Sequence, residues 1–247
     1  MSIYNKTKFS DWLRKSLLFI RRDAWIWVAY TLFVAVILCV GRVSYALGIF
    51  SAVVSLFVGV GVAKYNDMKH SDTWSVGFVW AIKKSLPLAI IMGLMIMLCW
   101  FIFAALANIL NGQAEMISYF FFDWQYTSQN LRGRDSRELA IWLYGYANIS
   151  LIFTLLMLVT FASWYSYPLM LFKDYSWSQA KEVGRQESAK QKEAYYKTLA
   201  FLIFEAILCT EITPWLTPVL YMLTSTFMFV SYKNFFERSD LRANTVE

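Results

Sequence analysis

The chain has 247 residues, of which 58% are hydrophobic and only 16% are charged, and its formal net charge is +6. A soluble globular domain carries about a quarter charged residues, so this composition argues against an ordinary soluble domain and favours a helical membrane protein. The positive charge does not indicate a nucleic-acid partner, because the cations follow the membrane topology described below.

The first 23 residues predict an amphipathic helix ahead of the first membrane span. Its apolar residues recur at helical spacing and share one face. They are Phe9, Trp12, Leu13, Leu17 and Ile20. Such a helix lies at the bilayer surface with its cations near anionic headgroups, so the lipid bilayer is the first expected partner. The pattern is equally compatible with a helix that packs on its own bundle.

Six apolar segments predict an all-α, polytopic membrane bundle, with six transmembrane helices in three hairpins and a single membrane domain over 1–247. A hydrocarbon core takes roughly 17–25 helical residues to cross, and the last two segments are short. The predicted spans are 24–41, 46–63, 86–110, 145–172, 198–213 and 218–232. Pro87 falls in the first turn of the third span, where its missing amide hydrogen is tolerated. Pro168 is expected to kink or end the fourth.

Small residues on the second span predict a close contact between helices. Gly48, Ser51, Ser55, Gly59 and Gly61 recur near helical spacing. Small side chains let membrane helices approach each other closely. We expect an internal packing face, and a seam between two copies of the chain is the alternative.

The cations predict that both termini are cytoplasmic. Under the six-span interpretation, nineteen of the 23 lysines and arginines fall on the side of the termini, and only Arg42, Arg132, Arg134 and Arg137 fall on the other. Cytoplasmic loops carry such an excess. The loop 111–144 is therefore expected outside, and the charged helix 176–197 inside.

A short pattern precedes each predicted hairpin and suggests a cytoplasmic interfacial helix in each case. An acidic residue comes just before a tryptophan, and a stretch with cations follows. The acid or a serine would cap the helix, and the tryptophan would anchor it at headgroup level. The expected anchors are Trp12, Trp74 and Trp177. In the third copy, Ser176 and Gln179 fit a capping box.

Glu205 is an acidic residue in the middle of the fifth predicted span. Such a residue is costly there and by default faces the bundle interior or a water-filled cavity. One interpretation is a proton or cation site near the midplane, with Thr160, Ser163 or Thr224 close by. The other is a structural hydrogen bond that locks the bundle.

The charged helix 176–197 carries basic residues that form a candidate docking face. They are Lys181, Arg185, Lys190 and Lys192. A mixed-charge helix of this kind is compatible with a simple solvated surface. The alternative is a docking surface for a cytoplasmic protein partner or for anionic lipid.

Residues suited to catalysis are few. The single histidine, His70, lies in a predicted loop, and neither a glycine-rich phosphate loop nor a nucleophile motif occurs. Cys39, Cys99 and Cys209 lie in apolar runs without the spacing of a zinc site or a disulfide framework. We therefore predict no enzyme activity, no cofactor and no metal.

The run PLMLFKD at 168–174, followed by SWSQA at 176–180, resembles a stretch in uncharacterised bacterial six-span inner-membrane proteins. That family is related to the membrane domain of some glycerophosphodiester phosphodiesterases. The resemblance implies a fold and an inner-membrane location. It implies no activity, because the phosphodiesterase chemistry resides in a separate soluble domain.

The sequence thus predicts a non-enzymatic, multi-pass protein of a bacterial-type inner membrane that organises the membrane or binds a partner there. One alternative is a small transporter or permease subunit with its polar centre at Glu205. Another is a membrane immunity protein that blocks a toxin through the loop 111–144.

Overall fold

The chain folds into helices joined by short turns, as a computed structural model describes for residues 8–68 and 74–237, without the side chains of 74–82, 131 and 237. Within those ranges there is no strand, so the all-α prediction is confirmed. The α-helices are α1 Phe9–Arg22, α2 Ala24–Leu38, α3 Tyr45–Met68, α4 Trp74–Leu110, α5 Ser128–Leu131, α6 Ser136–Phe161, α7 Ser166–Lys173, α8 Trp177–Lys190, α9 Lys192–Glu211 and α10 Thr217–Tyr232. Short 3-10 turns cover Cys39–Arg42, Ala114–Phe120 and Pro214–Leu216.

Four of the described helices are long and apolar enough to cross a membrane. They cover Ala24–Arg42, Tyr45–Met68, Lys83–Leu110 and Ser136–Phe161. The helices at the fifth and sixth predicted spans fall short of these criteria. α9 carries charged residues from Lys192 to Glu211, and α10 has only 16 residues, about 24 Å of helix against a core of about 30 Å. Spans 198–213 and 218–232 therefore remain predictions.

The turns collect at two opposite ends of the bundle. At the end that we call the far end, the amide of Asp123 donates to the carbonyl of Val43 over 3.0 Å. There, Arg137 Nε also donates to the carbonyl of Glu211 over 3.0 Å. The connections after α2, α4 and α9 therefore lie together.

The opposite end, which we call the near end, gathers α1, α7, α8 and the turn after α10. Lys233 Nζ lies 2.6 Å from a carboxylate oxygen of Asp67, joining the end of α10 to the end of α3. Lys84 Nζ lies 2.7 Å from Asp174, joining α4 to the turn after α7. Asp174 has a φ of 55° and ends α7 at the turn that the sequence predicts.

α10 is the central helix, and its residues from Thr224 to Tyr232 are all buried. It packs against α1, α2, α3 and α9. Ser225 Oγ donates to the carbonyl of Leu56 over 2.8 Å, and the hydroxyl of Tyr30 donates to the carbonyl of Ser55 over 2.7 Å. These bonds join α10 and α2 to the same stretch of α3, which crosses them at Gly59.

The small residues of α3 form the internal packing face that the sequence predicts. Gly48, Ser55, Gly59 and Gly61 are all buried. A methyl group on Gly48 would collide with Tyr146 of α6, and one on Gly59 would collide with Ser225 of α10. The partners of this face are helices of the same chain.

The predicted fourth span, 145–172, is not one helix. Asp135 accepts a hydrogen bond from the amide of Glu138 over 2.7 Å and starts α6 nine residues earlier than its apolar run begins. α6 then ends at Phe161, and α7 starts at Ser166. The break precedes Pro168, which occupies the first turn of α7 where its missing amide hydrogen is harmless.

The second predicted hairpin also differs from expectation. α4 runs without interruption from Trp74 to Leu110, and Pro87 lies inside it rather than in its first turn. The described stretch from Trp74, which was expected to be a separate interfacial helix, is therefore part of the same helix as this span. α4 packs chiefly on α3, whereas its predicted partner α6 packs mainly on α9 and α3.

α1 packs on the bundle, which is the second of the two interpretations its pattern allows. Phe9 lies 5.4 Å from Phe201 between ring centroids. Trp12 is 0% exposed and packs edge-on against Phe235. Trp12, expected as an anchor at headgroup level, is therefore a core residue, because its helix buries this face against α9, α10 and the turn after α10.

Candidate functional site

α8 begins with the capping box that the sequence predicts. The Ser176 hydroxyl accepts from the amide of Gln179 over 3.4 Å, and the Gln179 side chain accepts from the amide of Ser176 over 3.0 Å. The helix then buries Ala180 and Gly184. Gly184 lies so close to Ser163 that a methyl group would collide with it. α8 is therefore seated on the break between α6 and α7.

Arg185 clamps α8 to the end of α6. Its Nη2 donates to the carbonyl of Thr160 over 2.9 Å, and its Nε donates to the carbonyl of Ala162 over 3.2 Å. The last carbonyls of a helix have no intrahelical partner and carry partial negative charge. The guanidinium donates hydrogen bonds to these carbonyls and offsets their negative charge. Arg185, a predicted docking residue, therefore also has a structural role.

A cleft of about 160 Å³ lies between α8, the start of α9 and the end of α6. Two of the four predicted docking residues, Arg185 and Lys192, line it. The other lining residues are Val159, Ala162, Ser163, Ser188, Ala189, Tyr195 and Tyr196. The cleft thus has two cations in its lining, and a guanidinium and an ammonium are the donors that bind phosphate-like anions.

The other two predicted docking residues flank this cleft without lining it. Lys181 is half-buried on α8. Lys190 is exposed and forms an ion pair with Glu187, three residues earlier on the same helix. The structure therefore brings half of the predicted set together in one cleft and leaves half on the neighbouring surface.

Glu205 lies half-buried on α9, between exposed Phe204 and buried Ala206. Among the described residues, no hydrogen bond or ion pair involves its carboxylate. The Thr224 hydroxyl, predicted near it, instead donates to the carbonyl of Leu220 in its own helix. The polar centre expected around Glu205 is not assembled within the described part of the chain.

Of the two other predicted anchors, Trp74 and Trp177, only Trp177 has a described side chain. Trp177 is 37% exposed and lines an apolar crevice between α4 and α6 with Met92, Met95 and Phe161. The side chain of Trp74 and the whole of His70 fall outside the described residues.

Arg42 forms a site at the far end that sequence reasoning missed. Arg42 lies between the first two predicted spans, and it is only 8% exposed. Its guanidinium lies 5.1 Å from the ring centroid of Trp142 and donates to Gln125 Oε1 over 2.8 Å. Because Gln125 donates its own amide to the carbonyl of Arg42 over 2.8 Å, the segment 121–127 is fastened to the turn after α2.

Three tyrosine hydroxyls at the far end cap α2 by donating hydrogen bonds to carbonyls at its end. Tyr126 donates to the carbonyl of Cys39 over 2.7 Å, Tyr144 to that of Ala35 over 3.4 Å, and Tyr146 to that of Leu38. Burial and, after it, the neighbouring Cys39 raise the pKa of Tyr126 to about 12. A tyrosine hydroxyl is already a donor at neutral pH, and the rise in pKa extends that role into alkaline pH.

Among residues 8–68 and 74–237, no three His, Cys, Asp or Glu side chains form a cluster that could hold a metal ion. No family model, curated protein or solved structure matches the chain. The resemblance to the six-span family therefore stays an expectation from the short motif at 168–180.

Proposed function

We propose that this chain is a non-enzymatic membrane protein of six spans, with both termini cytoplasmic, that organises a bacterial-type inner membrane by binding anionic lipid. The observation that carries the proposal is the basic surface at the near end, where the cleft lies beside Lys181 and Lys190. This is also the end at which the predicted topology places both termini and most of the cations. A basic surface beside a membrane attracts anionic headgroups by about 1 kcal/mol for each cation.

Four apolar helices support a location in the bilayer. In that setting, the near-end cations stand where headgroups are found, because α8 is docked on the ends of α6 and α7 rather than extended away from them. The short helix α8 buries only a small part of its surface, chiefly Ala180 and Gly184. Its exposed charges therefore remain available for contact with the membrane surface.

The test is a measurement of lipid selectivity by electron spin resonance. The purified full-length protein is reconstituted in phosphatidylcholine vesicles with spin-labelled phosphatidylglycerol or spin-labelled phosphatidylcholine. We expect the immobilised fraction to favour phosphatidylglycerol. Combined substitution K181E, K190E and K192E should abolish that preference.

Arg132→Glu provides a control at the far end, since Arg132 is exposed and its side chain makes no hydrogen bond or ion pair to a described residue. This variant should keep the preference for phosphatidylglycerol. Equal immobilisation of both lipids by the unaltered protein would refute the proposed function.

The second candidate function is a small transporter or permease subunit, and Glu205 favours it. A half-buried carboxylate without a partner among the described residues is suited to binding a proton or a cation. Flux measurements on the Glu205→Gln variant, described below, separate this candidate from the first.

A further inference from the structure

We infer that the cleft between α8 and α9 holds the phosphate of one anionic phospholipid, bound by Lys192 and Arg185. This inference rests on the proposed function and assigns its lipid contact to a defined site. The cleft volume of about 160 Å³ suits a phosphate group, and a glycerol backbone would extend from its mouth.

The donors in the cleft have capacity left for a ligand. Arg185 uses Nε and Nη2 for the carbonyls of α6, and its Nη1 makes no hydrogen bond to a described residue. Lys192 is exposed and makes no hydrogen bond or ion pair within the described ranges. A guanidinium and an ammonium that face one cleft form charge-assisted hydrogen bonds with a phosphate, and these are the strong ones.

The start of α9 adds a further positive contribution. Lys192 is the first residue of this 20-residue helix, and the residue before it makes no side-chain cap. The amides of a first helical turn have no intrahelical partner and favour negative charge. Tyr195, on the same turn, is one of the residues that line the cleft. A phosphate there would meet two cations close to the positive end of α9.

The nearest carboxylates do not cancel this charge. Glu187 forms an ion pair with Lys190, and Glu193 forms one with Lys197 over 2.7 Å. Neither acid lines the cleft, and the charged residues in its lining are Arg185 and Lys192. The lining itself is therefore positively charged.

The apolar surroundings favour a lipid over a free phosphate ion. Val159 and Ala162 line the cleft itself. Tyr196 of the lining is 56% exposed, and Leu156, three residues before Val159 on α6, is 49% exposed. Acyl chains that descend from a phosphate in the cleft would cover these side chains. Free phosphate would leave them uncovered.

The experiment counts bound lipid by native mass spectrometry. Full-length protein is stripped of lipid in detergent and titrated with phosphatidylglycerol, phosphatidylcholine or inorganic phosphate. We expect one phosphatidylglycerol per chain, no comparable adduct with phosphatidylcholine, and no displacement by inorganic phosphate. Lys192→Gln should weaken the first adduct about tenfold, the loss of one charge-assisted bond. Lys192→Arg should restore it.

Lys83→Gln is the matched control, since Lys83 is an exposed lysine on α4 and does not line the cleft. If Lys192→Gln binds as tightly as the unaltered protein, the cleft is not the site, although a spin-label preference for anionic lipid would leave the proposed function standing. Equal weakening by Lys83→Gln would show a diffuse surface effect and overturn the inference in the same way. Displacement by inorganic phosphate would overturn the assignment to a lipid.

Discussion

The Nη2 atom of Arg185 lies 2.9 Å from the carbonyl oxygen of Thr160, and this hydrogen bond joins α8 to the last turn of α6. Together with the bond from Nε to Ala162, it satisfies backbone carbonyls at a helix break that would otherwise lack partners. Membrane proteins tolerate irregular backbone near the hydrocarbon region only where such groups are satisfied within the protein. One side chain therefore stabilises the break and also contributes to the cleft.

Arg185→Ala should lower the free energy of unfolding by about 1–3 kcal/mol, because two carbonyls lose a charged donor. Lys181→Ala on the same helix should change it little, since no hydrogen bond or ion pair to a described residue is lost. Unfolding in mixed detergent, followed by circular dichroism, measures both variants. Equal stability of the two would mean that the clamp contributes nothing.

Sequence reasoning located elements where a local signal exists. The capping box at Ser176 and Gln179 and the turn at Asp174 are local patterns, and both are confirmed. The start of α6 was missed because the predicted span followed hydrophobicity alone, whereas Asp135 caps a helix whose first three residues, 136–138, are polar. The break before Pro168 was likewise missed, since no breaker residue occupies 162–165.

The site was only partly predictable for a different reason. The set Lys181, Arg185, Lys190 and Lys192 follows from charge on one helix. The clamp from Arg185 to Thr160 joins residues that are 25 positions apart, and nothing in a single sequence pairs them. Similarly, Arg42 donates to Gln125 across 83 positions of the chain, and no local pattern pairs these two residues.

Gly59→Ala should destabilise the protein by about 1–3 kcal/mol, the cost of adding a methyl group to a packed interior. The new methyl group would collide with Ser225 and Tyr30, which hold α10 and α2 against α3. Gly145→Ala is the matched control, because its methyl group would meet only Ile141, at 4.0 Å. Helix propensity predicts a gain of up to about 1 kcal/mol there. Thermal unfolding in detergent should give a lower melting temperature for Gly59→Ala than for Gly145→Ala.

Arg42→Lys should loosen the segment 121–127 without unfolding the bundle. Lysine keeps the charge but loses the planar group that contacts Trp142 and donates to Gln125. We expect faster hydrogen exchange at the amides of Asp123 and Gln125, which donate to the carbonyls of Val43 and Arg42. Arg132→Lys, on the exposed turn nearby, should leave exchange in this segment unchanged. Unaltered exchange in the Arg42 variant would show that backbone pairing alone holds the segment.

Alkaline pH should weaken the cap that Tyr126 provides. Its pKa of about 12 exceeds the ordinary tyrosine value of about 10, so the folded state favours the protonated hydroxyl. Its contribution is fully present below pH 10 and is lost as pH rises toward 12. Tyr126→Phe should therefore lose less stability over this interval than the unaltered protein does. Tyr119→Phe, whose half-exposed side chain does not cap α2, should follow the unaltered protein.

Glu205→Gln separates a structural carboxylate from a functional one. A carboxylate that locks the bundle through a hydrogen bond should cost about 1–3 kcal/mol when altered, yet no such bond occurs among the described residues. We therefore expect an unfolding free energy equal to or above that of the unaltered protein, since a neutral amide is cheaper to bury than a charge. Glu211→Gln at the exposed end of α9 is the control.

Proton and cation flux into liposomes is measured on the same preparations. Intact stability with flux lost only in the Glu205 variant would establish transport and displace the lipid-organising function. If neither the unaltered protein nor either variant shows flux, transport is excluded. Reduced stability of the Glu205 variant would support a structural hydrogen bond of this carboxylate.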